Sequence, residues 1–269
     1  MILPIHITDK LPASPEGTWN AQVNTNRRHQ IVNNHSATHL MHAALRQVLG
    51  NHVEQRGSLV SPEYLRFDFS HYAKLEKEQL DEVERIVNTK IRENIHKGEN
   101  RSMAIDEAKA MGAMALFGEK YGDQVRVITF DQEYSVELCG GTHVEYTGQI
   151  GLFKITSEGS IASGIRRIEA STGDSALSFV NGHIDTLNDI YEITKNKKDV
   201  VGGIQSLMDE NNQLKKELEK MEHEKAESMK KDLINDIEQM DGVQFLGKKI
   251  KSNSTEMMKT VAYNLSRQV

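Results

Sequence analysis

Two pairs of side chains stand out for what they could bind together: His35 with His39, and Cys139 with His143. Each pair is spaced four positions apart, and Cys139 is the one cysteine among 269 residues. On a helix, positions i and i+4 share a face, so both imidazoles of His35-Ser36-Ala37-Thr38-His39 can reach one ion. Cys139-Gly140-Gly141-Thr142-His143 reads as a glycine-rich turn able to close the other half of a tetrahedron. Three imidazoles and a thiolate suit zinc, whereas calcium and magnesium prefer oxygen. Alone, each pair has a plainer reading. Histidines on an amphipathic helix are commonly exposed or satisfied, and a lone cysteine commonly packs as a small hydrophobe. Together the two pairs point to a shared metal.

What that metal would do is open. Four protein ligands make a closed, structural zinc, and three plus a water make a catalytic one. Proteases of the HExxH kind carry a glutamate general base after the first histidine, and here that position is Ser36. Thr38, beside a ligand, offers a hydroxyl that can tell a substrate OH from a methyl. Its alternative is a bond back to its own helix. Gln55 and Arg56 come just beyond the helix, where the chain turns back towards a strand. Gln55 could orient a carbonyl or a water, although its spacing favours an exposed loop residue. Arg166 and Arg167 enter a strand and so face opposite sides, which leaves one to pair within the protein and the other to reach a phosphate. Arg27 and Arg28 form a similar pair ahead of the metal helix. Surface solvation is the plain alternative for all four arginines.

These residues need elements to position them. Apolar positions recur at helical spacing from Gln30 to Leu49, and Gly50 stops the run. Gly57 to Phe69 reads as strand, turn and strand, with Leu65, Phe67 and Phe69 alternating. Lys74 to His96 reads as an amphipathic helix with Leu80, Val83, Val87, Ile91 and Ile95 buried, ended by Gly98. A shorter helical pattern runs from Asp106 to about Phe117. Val125–Phe130 and Tyr134–Leu138 are β-branched runs leading into the cysteine turn. Leu152–Ser157 and Ile165–Ala170 read as strands joined by the loop EGSIASG. This order predicts an α+β domain over residues 28–180: a β-sheet packed by helices around the zinc site. Residues 1–27 read as the remnant of a preceding region. Beyond the α+β domain, 181–240 reads as helical: Ile204, Leu207, Leu214, Leu218 and Met221 keep three-and-four spacing, with Asn211 and Lys225 at seam positions. About three heptads suggest a short coiled coil, or equally a solvated helix packed on its own domain. Residues 241–269 read as the truncated start of a further domain.

Composition narrows the classes. The chain is 27% charged, and no apolar run approaches the roughly 20 residues that span a bilayer, so no membrane partner is expected. Its start, MILPIHITDK, lacks the features of a secretory signal, and one cysteine allows no internal disulfide. Both fit a reducing, cytoplasmic setting. A net charge of −6 excludes a generally basic nucleic-acid coat, so contact with nucleic acid would come from local patches. An aromatic content of 6% argues against a stacking platform for single strands.

The runs NHSATHLMHAALRQVLG, QRGSLV, RFDFSH, ELCGGTHV and SGIRRIEASTG, in that order, resemble the editing domain of the alanyl-tRNA synthetases. Freestanding trans-editing proteins share the metal motifs, and the threonyl-tRNA synthetase editing domain carries a more distant version. The likeness covers about residues 20–180. The helical stretch and the residues after it look like that family's dimerising region and the start of its C-terminal tRNA-binding domain. The class II aminoacylation motifs, and with them the ATP-dependent attachment of alanine to tRNA(Ala), are absent from this stretch.

The resemblance implies hydrolysis of the ester in Ser-tRNA(Ala) and Gly-tRNA(Ala). A pocket for alanine cannot exclude glycine by size and rejects an added hydroxyl weakly, so a second site must sieve. It implies zinc, one per chain, on His35, His39, Cys139 and His143. Hydrolysis would turn on Thr38, Gln55 and Cys139: Thr38 contacts the serine hydroxyl, and Gln55 helps place substrate or water. Arg166 or Arg167 lies near the tRNA end. The zinc either anchors the substrate amino group and shapes the pocket or lowers the pKa of water. Positioning is favoured, because no glutamate base stands beside the ligands in the sequence. The expected partners are mischarged tRNA(Ala) and a second copy of the chain through the helical region. The alternative is a structural-zinc tRNA-binding or dimerisation module with no hydrolytic activity of its own.

Overall fold

Asn24 starts the long helix on which the first pair sits. Its side chain accepts from the backbone N–H of Arg27 at 3.0 Å, which satisfies one of the donors a helix start leaves free. Helix α1 (Thr25–Leu49) then runs until Gly50, at φ 110°, turns the chain out of it. The first turn is polar and exposed, so apolar periodicity alone places the start five residues late, at Gln30. Arg27 and Arg28 therefore lie within the first turn of α1 rather than ahead of it.

The computed structural model describes residues 9–10, 13–14, 16–114, 122–195, 198–250 and 255–266. After α1 come β1 (Gln55–Val60), β2 (Leu65–Ser70), α2 (Lys77–Arg92), β3 (Gly98–Ala104) and α3 (Ile105–Ala110). They are followed by β4 (Gln124–Phe130), β5 (Ser135–Leu138), a 3-10 turn at Thr147–Ile150, β6 (Phe153–Ala162) and β7 (Ile165–Thr172). The remainder is α4 (Gly173–Thr194), α5 (Val200–Ile234), β8 (Glu238–Met240), β9 (Val243–Phe245) and α6 (Thr255–Ser266). The protein is thus a mixed α/β chain with antiparallel sheets. It divides into two units, residues 1–183 and 184–269.

In the first unit, β1-β2-β7-β6 form one antiparallel sheet and β3-β4-β5 a second. Ala37, Leu40, Met41, Ala44 and Leu45 of α1 pack against Leu65, Phe67 and Phe69 of β2 and against Val83, Val87 and Ile91 of α2, all buried. Each fully buried large side chain contributes roughly 1.5–3 kcal/mol. Strand β4 feeds two cores by alternation. Val125 and Val127 join Met103, Ala108, Val136 and Leu138 in a small one, while Ile128 and Phe130 join the large one. On β5 the same alternation sends Val136 and Leu138 to the small core. Glu137, and Cys139 just past the strand, are left on the other face, towards α1.

Several boundaries differ from the sequence pattern for physical reasons. Helix α2 is shorter than Lys74–His96: a Glu76–Gln79 capping box starts it, and Asn94, at φ 50°, turns the chain away after its end. Gly98 opens β3 instead of ending a helix. Strand β3 escapes pattern reading because only Met103 along it is buried. The pattern from Asp106 to Phe117 yields α3 alone, and its end lies outside the described residues. EGSIASG is mostly strand: Glu158, Gly159 and Ser160 pair with Ile168, Arg167 and Arg166, and only Ser163 and Gly164 turn the hairpin. Gly164, at φ 71°, supplies the left-handed step that this tight turn needs.

In the second unit, Ala226, Leu233, Met257 and Val261 form a small core between α5 and α6. Val201, Leu207, Leu214, Leu218 and Met221 of α5 are all more than half exposed. Among the described residues, no helix is long and apolar enough to cross a membrane.

Candidate metal centre

One helix and one turn bring the four donors together. Their ligand atoms all lie within 4.8 Å of one another. Cys139 Sγ is 3.4 Å from His35 Nε2 and 3.3 Å from His143 Nε2. The ring of His143 sits 4.2 Å from that of His35 and 4.4 Å from that of His39, centroid to centroid. Bonds of about 2.0–2.3 Å to a tetrahedral zinc separate neighbouring donors by some 3.3–3.8 Å, which the two Cys139 distances match, while the set as a whole spans up to 4.8 Å. His39 and His143 are buried, while His35 and Cys139 are half-buried and face the open side.

The outer partners fix which nitrogen His35 and His143 present. His35 Nδ1 lies 3.2 Å from the carbonyl of Thr142, which can only accept, so Nδ1 carries the proton and Nε2 the lone pair. Ser36 Oγ donates to the carbonyl of Val32 at 2.9 Å and accepts from the backbone N–H of Val144 at 3.0 Å. Its contact with His143 Nδ1 at 3.2 Å must then be donation by the imidazole, which again leaves Nε2 bare. The residue that removes the HExxH reading is therefore the clip between helix and turn. Burial lowers the pKa of His35, of His39 to about 3 and of His143 to about 2, so all three rings are neutral, the form that binds a metal.

The turn is tied down as firmly. Arg126 Nη1 donates to the carbonyls of Cys139 at 2.8 Å and Gly141 at 2.6 Å, while its Nε donates to Glu99 at 2.8 Å. Glu99 is drawn down to a pKa of about 2, chiefly by that hydrogen bond. A Cβ on Gly141 would run into the ring of His35, so the close approach of turn and helix requires glycine there.

The remaining candidate residues are placed differently. Thr38 is buried, and its hydroxyl donates to the carbonyl of Asn34 at 2.8 Å, so only its lone pairs remain to be used. Gln55 opens β1 opposite Phe69, on the sheet and not in a turn beyond the helix. Arg166 and Arg167 both have carboxylate partners. Arg166 Nε donates to the buried Glu158 at 2.6 Å, and Arg167 makes a bidentate pair with Asp68 at 2.6 and 2.8 Å. Asp68 is its cross-strand neighbour. Neither is left over as a bare cation. Arg27 and Arg28 remain exposed.

Two residues missed by sequence reading stand behind the ligands. Glu137 Oε2 lies 3.6 Å from His39 Nε2, and its Oε1 lies 3.3 Å from His42 Nδ1, with all three side chains buried. Burial pushes the Glu137 pKa up, but His39 and the His42 hydrogen bond outweigh it, and the carboxyl stays below its usual value. The signal was present: Glu137 stands two residues before Cys139 in a strand, hence on the same face, and His42 lies one turn beyond His39.

The chain is similar to known proteins along nearly its whole length. Residues 125–169, which include Cys139 and His143, match the threonyl and alanyl tRNA synthetase second additional domain. Along 267 residues the chain is 51% identical to the alanine–tRNA ligase of Cytophaga hutchinsonii and 48% identical to that of Bacteroides fragilis, each time over 99% of its own length. It is 50% identical to the alanine–tRNA ligase of Flavobacterium psychrophilum over 248 residues. The chain spans about 30% of the length of the first and second of these relatives.

Proposed function

We propose, from the premise that this chain is homologous to some 30% of alanine–tRNA ligase, that it is the editing part of such an enzyme. It would hydrolyse the ester of Ser-tRNA(Ala) and Gly-tRNA(Ala). The observation that carries the reading is the convergence of His35, His39, Cys139 and His143 within 4.8 Å, with the stretch that holds Cys139 and His143 matching a tRNA-synthetase domain over residues 125–169. The donor chemistry fits zinc: three neutral rings, two of them held in fixed tautomers, beside one thiol. When bound, zinc supplies a Lewis-acid centre towards which the substrate's amino group or ester carbonyl can be drawn.

The chain's own residues do the sorting. The Thr38 hydroxyl donates its hydrogen bond to the Asn34 carbonyl, so Thr38 Oγ1 acts as an acceptor towards the substrate and recognises the hydroxyl of serine, which alanine lacks. Gln55 places the substrate or a water from the edge of β1. Because Arg166 and Arg167 are committed to Glu158 and Asp68, the exposed Arg27 and Arg28 are the first choice for phosphate contact. Residues 28–180 form the editing domain, with 1–27 belonging to the region before it and 241–269 to the start of the domain after it. Residues 181–240 form the dimerising region, in which the exposed stripe of α5 meets a second copy. The setting is the cytoplasm, where mischarged tRNA is made.

One observation favours a second reading: the protein gathers four donors within 4.8 Å, the number that fills a structural zinc site. Zinc-loaded protein should release serine from Ser-tRNA(Ala) and spare Ala-tRNA(Ala). Stoichiometric zinc without serine release would leave the structural-zinc tRNA-binding module.

A further inference from the structure

Glu137 is a carboxylate in the wrong place for a purely structural residue. Its side chain is 3% exposed, and burying a carboxylate costs several kcal/mol unless donors meet it. Two imidazoles on the same face of α1 lie against it, one within hydrogen-bond distance and the other just beyond it. His42 Nδ1 lies 3.3 Å from Oε1, and His39 Nε2 lies 3.6 Å from Oε2. No lysine or arginine among the described residues forms an ion pair with it. It is also not a fifth donor, since the set of mutually close ligand atoms contains His35, His39, Cys139 and His143 only.

The two nitrogens of His39 have distinct surroundings. His35 and His143 each turn Nδ1 to an outer partner and Nε2 to the thiol. In His39 the arrangement is reversed: Nε2 faces Glu137, and Nδ1 is buried without a hydrogen-bond partner. A buried ring nitrogen with no partner needs an explanation, and a metal-facing lone pair is one. A carboxylate can only accept, so an Nε2 turned towards Glu137 at 3.6 Å, just beyond hydrogen-bond length, favours the tautomer with Nε2 protonated and Nδ1 bare. The other orphan in this group is His42 Nε2, at the far side of the ring that braces Glu137 against Phe67.

We infer that Glu137, braced by His42, is a positioning residue for the metal centre: it holds the His39 ring with Nε2 protonated, so that His39 binds zinc through Nδ1 while His35 and His143 bind through Nε2. The inference rests on the four-ligand zinc reading above. It also assigns the buried glutamate a place behind a ligand and not at the reacting ester, so Glu137 is not the general base that the sequence lacked at position 36.

The test uses the full chain, with zinc alone as the probe and a chelator as competitor. Glu137→Ala should weaken zinc binding roughly tenfold to a hundredfold with helical content unchanged. Glu137→Gln should recover most of the loss, because its amide oxygen can accept from His39 while its NH2 faces His42. In zinc-loaded wild-type protein, long-range proton–nitrogen correlation of the rings should show His39 protonated at Nε2, and His35 and His143 protonated at Nδ1. That measurement decides the matter even if Glu137→Ala fails to fold. Wild-type zinc affinity in a folded Glu137→Ala, or His39 bound through Nε2, would overturn the assignment. So would a Glu137→Gln variant with full zinc affinity and no hydrolysis, which would make Glu137 a base. Wild-type protein that binds no zinc at all would instead sink the metal centre itself.

Discussion

The two units of this chain treat their informative residues in opposite ways. The first buries or half-buries them and gives both ring nitrogens of His35 and His143 a defined partner or role. The second leaves Leu207, Leu214, Leu218 and Met221 more than half exposed along one helix. A buried polar site must find partners within its own fold or in what it binds, because each unmade hydrogen bond there costs about 1–3 kcal/mol, and here only His39 Nδ1 and His42 Nε2 of the histidine group are left without one. An exposed apolar stripe carries no such demand and is completed by whatever covers it. The lesson is that the first unit's chemistry can be broken one residue at a time, whereas the second unit's role shows only in association.

The largest break should come at Cys139. Removing one ligand of four, Cys139→Ala should abolish stoichiometric zinc binding and serine release from Ser-tRNA(Ala), read by metal assay and deacylation. If the far-ultraviolet spectrum stays that of a folded protein, the large core of α1, α2 and the sheet holds without metal, and the zinc serves function. If the variant unfolds, the structural reading takes its place. The next largest effect should be at Phe153, fully buried on β6. Phe153→Ala leaves a cavity and should cost about 3–5 kcal/mol in denaturant unfolding. A loss below about 1 kcal/mol would mean that the core is far looser than its burial indicates.

How much of this could be read from the sequence depended on how much each residue's surroundings lie in its own element. The metal set was legible because both halves are local: a helical i+4 pair and a tight glycine turn. Alternation exposed β2 as Leu65, Phe67 and Phe69, and it could have exposed Glu137 from Cys139. Strand β3 was not legible, since one buried residue in seven leaves no period. Nor was the pairing of Arg167 with Asp68, because the cross-strand register that makes them neighbours joins positions 99 apart. Local chemistry carries through from sequence, and long-range partnership does not.

A smaller effect sharpens the picture inside the first unit. Thr38→Val keeps the shape and removes the hydroxyl that donates to the Asn34 carbonyl. If Oγ1 also accepts from the serine hydroxyl, discrimination between Ser-tRNA(Ala) and Ala-tRNA(Ala) should fall about tenfold, the worth of one hydrogen bond near 1.4 kcal/mol. Unchanged discrimination would assign the hydroxyl to the helix alone.

The smallest expected change in stability belongs to the stripe, and it is informative because it is small. Leu218 is 59% exposed, so truncating it leaves no cavity within the chain. Leu218→Ala should shift unfolding of the monomer by under about 0.5 kcal/mol, as exposed positions do. The same residue sits at a seam position between Leu214 and Met221, where a second copy would bury it. Leu214→Glu with Leu218→Glu should therefore lower the mass measured by light scattering from dimer to monomer while the helical content holds. A loss of about 2 kcal/mol or more in the monomer from Leu218→Ala alone would show that the stripe packs on its own chain. The second unit would then be closed in the same sense as the first, and the contrast between the two would fall.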